Sequence, residues 1–288
     1  MKIVDSHTHT LARLHGAREF CREEGIGCAE EDLLRQMAEA GVERLISITD
    51  DLDQPTPIGL DDIRKQRGRL DAIAPVLGVN PHKTTAAGLD RLAAALKKGE
   101  ARGIKIWAGY YHVRPDARLY DKVYKLAGRH EVPVMVHTGD TFWKGRARRD
   151  PRGRRLPPRE RWAIADLAHP YVMDEVASRF PETDILLAHV GNPWVNYAAL
   201  VAYRNENVFL DLSAFVIGGS VRTNPSGRDA AEAIGWAMRF VGDDSKFLYG
   251  SDWPLVEMKD YLEFVRAAVP ADAHNAVFRE NAVRLFRL

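Results

Sequence analysis

Residues 132–139 read VPVMVHTG, a run of apolar residues and one proline that ends in a histidine, a threonine and a glycine. A stretch that is apolar at every position, rather than at every second one, suits a strand covered on both faces, as in a parallel sheet wrapped by helices. The pattern returns at residues 184–191, DILLAHVG. Outward from these two, six further short apolar or β-branched runs are bounded by turn residues: KIVDSHTH (2–9), VERLISITD (42–50), DAIAPVLGV (71–79), RGIKIWA (102–108), NVFLDLS (207–213) and KFLYGSDW (246–253).

Helical patterns lie between most of these runs. They are EEDLLRQMAEAG (30–41), LDRLAAALKKG (89–99), DARLYDKVYKLAGRH (116–130), MDEVASRFP (173–181), WVNYAALVAYRNE (194–206), GRDAAEAIGWAMRFVG (227–242) and EMKDYLEFVRAAV (257–269). Gly41 and Gly99 stand where a left-handed helix stop is expected. Eight strands with intervening helices predict α/β architecture of one kind, a single closed (β/α)8 TIM barrel over residues 1–288. A doubly wound sheet would want a glycine-rich turn after its first strand, and that strand ends here in histidines.

At 288 residues, with 45% hydrophobic and 28% charged residues, the chain has the composition of an ordinary globular protein with ample core. Its net charge of +1 speaks against a nucleic-acid partner. Cys21 and Cys28 are the only cysteines, too few for a disulfide framework, and no run reaches the 18 or so apolar residues of a membrane span. With no leader pattern after Met1, the expected location is the cytoplasm, and the expected partner is a small molecule, with a homo-oligomer allowed. One segment breaks the βα rhythm: the insertion at about 141–162 holds nine Lys or Arg and two acids between Lys144 and Arg161, a local +7. Pro151, Pro157 and Pro158 keep it from being one long helix. It can serve as a lid offering Arg to a substrate anion, as a patch for an acidic partner, or as a solvated loop.

In such a barrel the active site lies at the C-terminal ends of the strands. His7 and His9 end strand one, Lys105 lies in strand four, His137 and His189 end strands five and six, and Asp252 ends strand eight. A His-x-His pair is weak alone, since two polar residues at a strand end explain it equally well. On an extended segment, however, its Cα atoms are about 6.6 Å apart and both rings can meet one ion. The recurrence of a donor after each apolar run turns the pair into a pattern. Around these ends lie Trp107, Tyr110, Tyr111 and His112 after strand four, Trp143 after strand five, and Asn192 and Trp194 after strand six, with Arg222 across the mouth. Aromatic side chains there suit a cleft for a flat substrate, and they equally suit ordinary packing of loops over helix ends.

DSHTH, GIKIW, PVMVHTGD, FPETDILLAHVG, NVFLDLS, YGSDWP and RENAVRLFRL together resemble the amidohydrolase superfamily. The likeness is to its amidohydrolase-related branch, with aminocarboxymuconate semialdehyde decarboxylase, resorcylate decarboxylases and pyrone-dicarboxylate lactonase. The resemblance runs from the first strand to the C-terminus. It implies one catalytic divalent ion, zinc ahead of manganese, on His7, His9, His137 and Asp252, with His189 moving a proton or polarising the substrate. In two-metal members a CO2-carboxylated lysine in strand four bridges the ions. Lys105 stands somewhat inside its strand, which favours one ion, and pairing with a buried acid such as Asp5 is its other reading. The reaction expected is attack of an activated water on a small, anionic or carboxylated ester, lactone or amide. Nonoxidative decarboxylation of an aromatic or muconate-type acid is the alternative, and a non-catalytic barrel that holds an acidic partner is a second one.

Overall fold

The computed structural model describes residues 1–9, 17–66, 71–140, 164–218, 221 and 226–288. Eight strands, β1 (Ile3–Thr8), β2 (Val42–Ile48), β3 (Ile73–Val79), β4 (Gly103–Ile106), β5 (Val134–Val136), β6 (Ile185–Leu187), β7 (Val208–Asp211) and β8 (Phe247–Leu248), pair in parallel in chain order. The ends of the sheet approach one another: Ser6 N–H donates to Tyr249 O at 2.9 Å, and beyond the strands Asp252 N–H donates to His7 O at 2.7 Å and His9 N–H to Trp253 O at 2.8 Å. The result is the nearly closed TIM barrel that the run of strands predicts.

Why the strands are apolar throughout is visible in their two faces. Ile104, Ile106, Val134, Val136, Ile185, Leu187, Val208 and Leu210 pack outward in one core with the helices. Their neighbours Met135, Leu186, Phe209 and Leu248 join Val4, Ile46 and Val76 in a second core inside the barrel. With a period of two, each inward row that is apolar at depth reaches its next inward position at the mouth, and there the side chain changes character. Lys105 lies inward between outward Ile104 and Ile106, His137 follows Met135, and Asp211 follows Phe209.

The helices are α1 (Ala17–Glu24), α2 (Glu30–Ala40), α3 (Leu60–Gln66), α4 (Ala86–Lys97), α5 (Asp121–His130), α6 (Met173–Arg179), α7 (Val195–Arg204), α8 (Gly227–Val241), α9 (Met258–Ala268) and α10 (Asn281–Phe286). Helix α2 stops at Gly41, whose φ of 71° only glycine adopts cheaply. Helix α4 starts three residues before its sequence pattern because the Thr85 hydroxyl accepts from Gly88 N–H at 3.1 Å and caps it. Three helices go beyond the sequence expectation, α1, α3 and α10. The last of these places Leu285 and Phe286 in the interior core and so closes the floor of the barrel. Among the described residues, no helix is long and apolar enough to cross a membrane.

Strands five, six and eight are shorter than their apolar runs. The runs leave the sheet just where the donors stand: His189 and Val190 have φ of 60° and 44°, and Asp252 has φ of 66°. Such conformations cost on the order of 1–3 kcal/mol each and persist only where surrounding contacts fix them. At His189 the turn has a geometric purpose, because strict alternation after inward Leu186 and Ala188 would point this histidine out of the barrel. The turn brings its ring within 4.8 Å of the His7 ring and 4.9 Å of the His137 ring, centroid to centroid.

Candidate metal centre at the barrel mouth

The first three donors meet through strand ends one and eight. His7, His9 and Asp252 are all buried and offer one ligand atom each within 4.8 Å of one another. Asp252 Oδ1 lies 3.1 Å from His9 Nε2 and 3.4 Å from His7 Nε2, and it is a buried oxygen without a hydrogen bond. An orphaned carboxylate oxygen facing two imidazole nitrogens is unfavourable unless a cation joins them. The three groups therefore fit a divalent ion, for which imidazole and carboxylate are ordinary ligands.

The opposite edge of each imidazole is engaged. His7 Nδ1 lies 2.5 Å from Asp211 Oδ2, and His9 Nδ1 lies 3.4 Å from Asp50 Oδ2. A carboxylate at Nδ1 holds the proton there and turns the Nε2 lone pair toward the ion. Asp211 is itself fixed, since its Oδ1 accepts from Ser213 N–H at 2.7 Å. Burial would push this carboxyl up, but the charge and hydrogen bond of His7 hold it at about 2, so it is anionic. Burial lowers His7, against the pull of Asp211, which suits a neutral ligand. His9 is also pushed down by burial, yet the adjacent carboxylates of Asp252 and Asp50 raise it to about 9 when nothing else neutralises that cluster. Asp252, despite its burial, is held well below the usual carboxylate range by His7 and His9.

Neither Asp211, Ser213 nor Asp50 is among the residues singled out from the sequence. The signal for two of them was present, as each acid stands at the end of an apolar run, in LISITD and NVFLDLS. Asp5, by contrast, belongs to the scaffold: its Oδ1 accepts from His7 N–H at 3.2 Å and Ser251 N–H at 2.9 Å, and burial raises its carboxyl to about 7. The pairing of Lys105 with Asp5 is not made. Lys105 Nζ is buried with no hydrogen-bond partner and lies 5.0 Å from the centroid of the Trp107 ring. Burial lowers its ammonium to about 8, against the attraction of Asp211 and Asp252.

His137 and His189 make the other wall. His189 Nδ1 lies 2.8 Å from Ser213 Oγ, which is also 3.2 Å from His7 Nδ1. His137 Nε2 lies 3.0 Å from Asp140 O, and its ring packs between His189, Trp107 and Tyr110 at centroid distances of 4.9, 6.3 and 5.0 Å. Burial lowers His189 to about 4 and His137 well below the usual range, in each case with help from neighbouring histidines. Trp107 is buried and tilts over His9 at 5.7 Å, with Tyr110 edge-on at 5.5 Å. Asn192 belongs to the backbone of this wall, as its carbonyl accepts from Asp140 N–H at 2.7 Å and its N–H donates to His189 O at 2.8 Å. The remaining loop residues stand apart: Trp194 packs at a tilt on His169, centroids 4.8 Å apart, and His112 is exposed. Trp143, Arg222 and the basic segment 144–161 lie outside the described residues.

A family model described as Amidohydrolase matches residues 4–288. A search of curated proteins finds no match. Several solved structures share the fold. An uncharacterised TIM-barrel protein of Bordetella bronchiseptica aligns over 100% of this chain and 99% of its own, at TM-score 0.72 and 19% identity. A probable 2-pyrone-4,6-dicarboxylic acid hydrolase of Acinetobacter baumannii, with citric acid bound, aligns over 100% of both chains at TM-score 0.65 and 14% identity. A dihydroxybenzoic acid decarboxylase of Polaromonas, with bound manganese and 2-nitroresorcinol, aligns over 100% of this chain and 97% of its own at 0.66 and 15%. One fold thus serves a hydrolase and a decarboxylase among these neighbours.

Proposed function

We propose that this chain, which belongs to the amidohydrolase family and is an enzyme of that superfamily, is a metal-dependent hydrolase of small, anionic or carboxylated esters, lactones or amides. The observation that carries the reading is the buried oxygen of Asp252, without a hydrogen bond, facing two Nε2 atoms and held ionised. His7, His9 and Asp252 would hold one zinc or manganese ion, with His137 as the further ligand that the family resemblance implies. Such an ion, when bound, polarises a carbonyl and lowers the pKa of water toward 7.

The residues then divide the protons. An ionised Asp252 is a base, suited to taking the proton of the attacking water. His189 has the complementary role, and its tautomer follows from its neighbours. His7 Nδ1 gives its proton toward Asp211, and the Ser213 hydroxyl accepts from that side and donates to His189 Nδ1. The proton of neutral His189 is thereby placed on Nε2, where it can donate to the substrate carbonyl oxygen as negative charge grows on it. Lys105, a buried ammonium awaiting a counter-ion, supports an anionic group on the substrate.

A second reading, nonoxidative decarboxylation of an aromatic or muconate-type acid, is favoured by the wall of Trp107, Tyr110 and His137, which suits a flat ring. It asks for an acid that protonates carbon, a role open to the Lys105 ammonium rather than to Asp252 or His189, which are not protonated acids at neutral pH. Incubating metal-loaded protein with panels of carboxylated lactones and esters, and of hydroxybenzoates, separates the two. Hydrolysis that is lost in Asp252→Asn is the expected result. Release of CO2 without any hydrolysis would overturn the proposal.

A further inference from the structure

Past β7 the chain leaves the barrel wall through a turn on which two histidines depend. Leu212 N–H still donates to Leu248 O at 2.9 Å, and the chain then bends through Ser213 and Ala214 to Phe215. Asp211 Oδ2 stands at His7 Nδ1, and Ser213 Oγ stands between His7 Nδ1 and His189 Nδ1. The shape of the turn is not one its residues prefer, because Ala214 has φ of 52°. The bond from Ser213 N–H to Asp211 Oδ1 closes its first half and stops short of Ala214. A contact from outside the turn must fix the rest.

That contact comes from α9. The Tyr261 hydroxyl donates to Leu212 O at 2.7 Å and accepts from Phe215 N–H at 3.0 Å, so one oxygen ties both ends of the segment that holds Ser213 and Ala214. Leu212, Phe215 and Tyr261 are all buried, and without that oxygen a buried carbonyl and a buried amide would each lose a partner. Burial raises the phenol well above its ordinary range, with Asp211, Asp252 and Asp5 adding to it, so it keeps the proton that the Leu212 bond requires. Tyr249, in the same core with its ring centroid 6.4 Å from that of Tyr261, gives a comparison. Its hydroxyl is turned to Met258 O, at 3.5 Å, and not to the turn.

We propose that Tyr261 is a positioning residue of the site, acting through Ser213: its hydroxyl holds the turn that aims Ser213 Oγ at His189. The turnover arm of its test rests on the hydrolase reading, and the other arms do not. In the wild type, the Phe215 amide should exchange with heavy water as slowly as the Leu212 amide, since buried bonds hold both. In the metal-free protein at neutral pH, imidazole-nitrogen NMR spectra should show His189 as its Nε2–H tautomer, and Tyr261→Phe should populate the Nδ1–H form. Thermal unfolding should show that the variant remains folded. With zinc and a carboxylated lactone that the wild type hydrolyses, Tyr261→Phe should lower kcat about 3- to 10-fold with KM little changed. In the Ser213→Ala background the same change should cost less than about 2-fold, because the two act through one hydroxyl. Tyr249→Phe, which removes a phenol oxygen from the same core, should alter neither the tautomer nor kcat. A freely exchanging Phe215 amide, an unchanged His189 tautomer, fully additive losses with Ser213→Ala, or an equal loss in Tyr249→Phe would each overturn the proposal. A wild type without hydrolysis would instead overturn the hydrolase reading, and the exchange and tautomer arms would still decide on Tyr261.

Discussion

Two pairs of histidines line the barrel mouth, and they differ in what stands behind them. His7 and His9, on β1, are backed at Nδ1 by the carboxylates of Asp211 and Asp50. His137 and His189, beyond β5 and β6, are backed by a carbonyl and a hydroxyl, from Asp140 and Ser213. A carboxylate makes an imidazole a stronger ligand and stabilises positive charge on it, whereas a neutral partner leaves burial to keep the ring uncharged. The first pair is suited to face a cation, and the second to stay uncharged at neutral pH and offer a hydrogen bond. Asp252 lies on the first side, and its removal should produce the largest effect. Asp252→Asn should lower turnover by about 10³-fold or more and reduce bound metal measured by elemental analysis. Full activity with normal metal content would erase the distinction between the two sides.

The pH dependence of stability in the metal-free protein should show the contrast directly. His189 has a folded pKa of about 4 against an ordinary 6.5, so the unfolded chain binds the extra proton first. As pH falls from about 6.5 to 4 this residue should remove up to about 3 kcal/mol of stability, and His137 acts in the same direction. His9 has the opposite sign: raised to about 9, it stabilises the fold below about 6.5 and loses that contribution as pH rises through 9. Denaturant titrations across pH 4–9 on the wild type and His189→Gln check this, and the variant should have the flatter acid limb. An acid limb of unchanged slope would remove His189 from the uncharged side.

The backing carboxylates give the next effect in size. Asp211→Asn and Asp50→Asn should each weaken metal binding by about 10- to 100-fold, measured by competition with a chelator, while leaving the three ligands in place. Asp211→Asn should also disturb His189, because Asp211 accepts from His189 N–H at 3.5 Å and anchors Ser213. Asp50→Asn should act on the metal side alone. Equal effects of both changes on turnover at saturating metal would mean that the two walls are not separate.

Much of this arrangement is legible in the sequence, for a physical reason. Strands apolar on every position announce a parallel barrel, and barrel geometry sends the residue after each run to one rim, so His7, His9, His137 and Asp252 can be placed there without coordinates, while their reading as one ligand set is what the family resemblance implies. Less legible is whatever depends on closure. Asp211 contacts His7 across 204 positions, and nothing local in NVFLDLS marks its acid as a support for an imidazole on strand one. Gly250 is similar: a Cβ there would lie 2.7 Å from the His7 Cβ, so the glycine of YGSDW is required by a strand at the far end of the chain. Helix α10 is short, and the sequence marks it only through the terminal RENAVRLFRL motif, though its Phe286 fills the barrel floor. The inward turn of His189 is also invisible to a period-two reading, which assigns that residue to the outer face.

The smallest effect expected is also the one that joins the two sides. Ser213 Oγ is the atom in contact with both classes of histidine, 3.2 Å from His7 Nδ1 and 2.8 Å from His189 Nδ1. One hydroxyl has one proton to give. His7 Nδ1 is already committed as a donor toward Asp211, so the proton of Ser213 goes to His189 and fixes its Nε2–H tautomer. Ser213→Ala removes that instruction and leaves His7 backed by Asp211. Metal affinity should then stay near the wild-type value while kcat falls about 2- to 10-fold, the share of one neutral hydrogen bond. Ser213→Thr, which keeps the hydroxyl, should recover most of the loss. A variant that loses metal in proportion to activity would place the hydroxyl with the ligand wall, and the mouth would then be one cooperative network in which no histidine can be assigned to substrate alone.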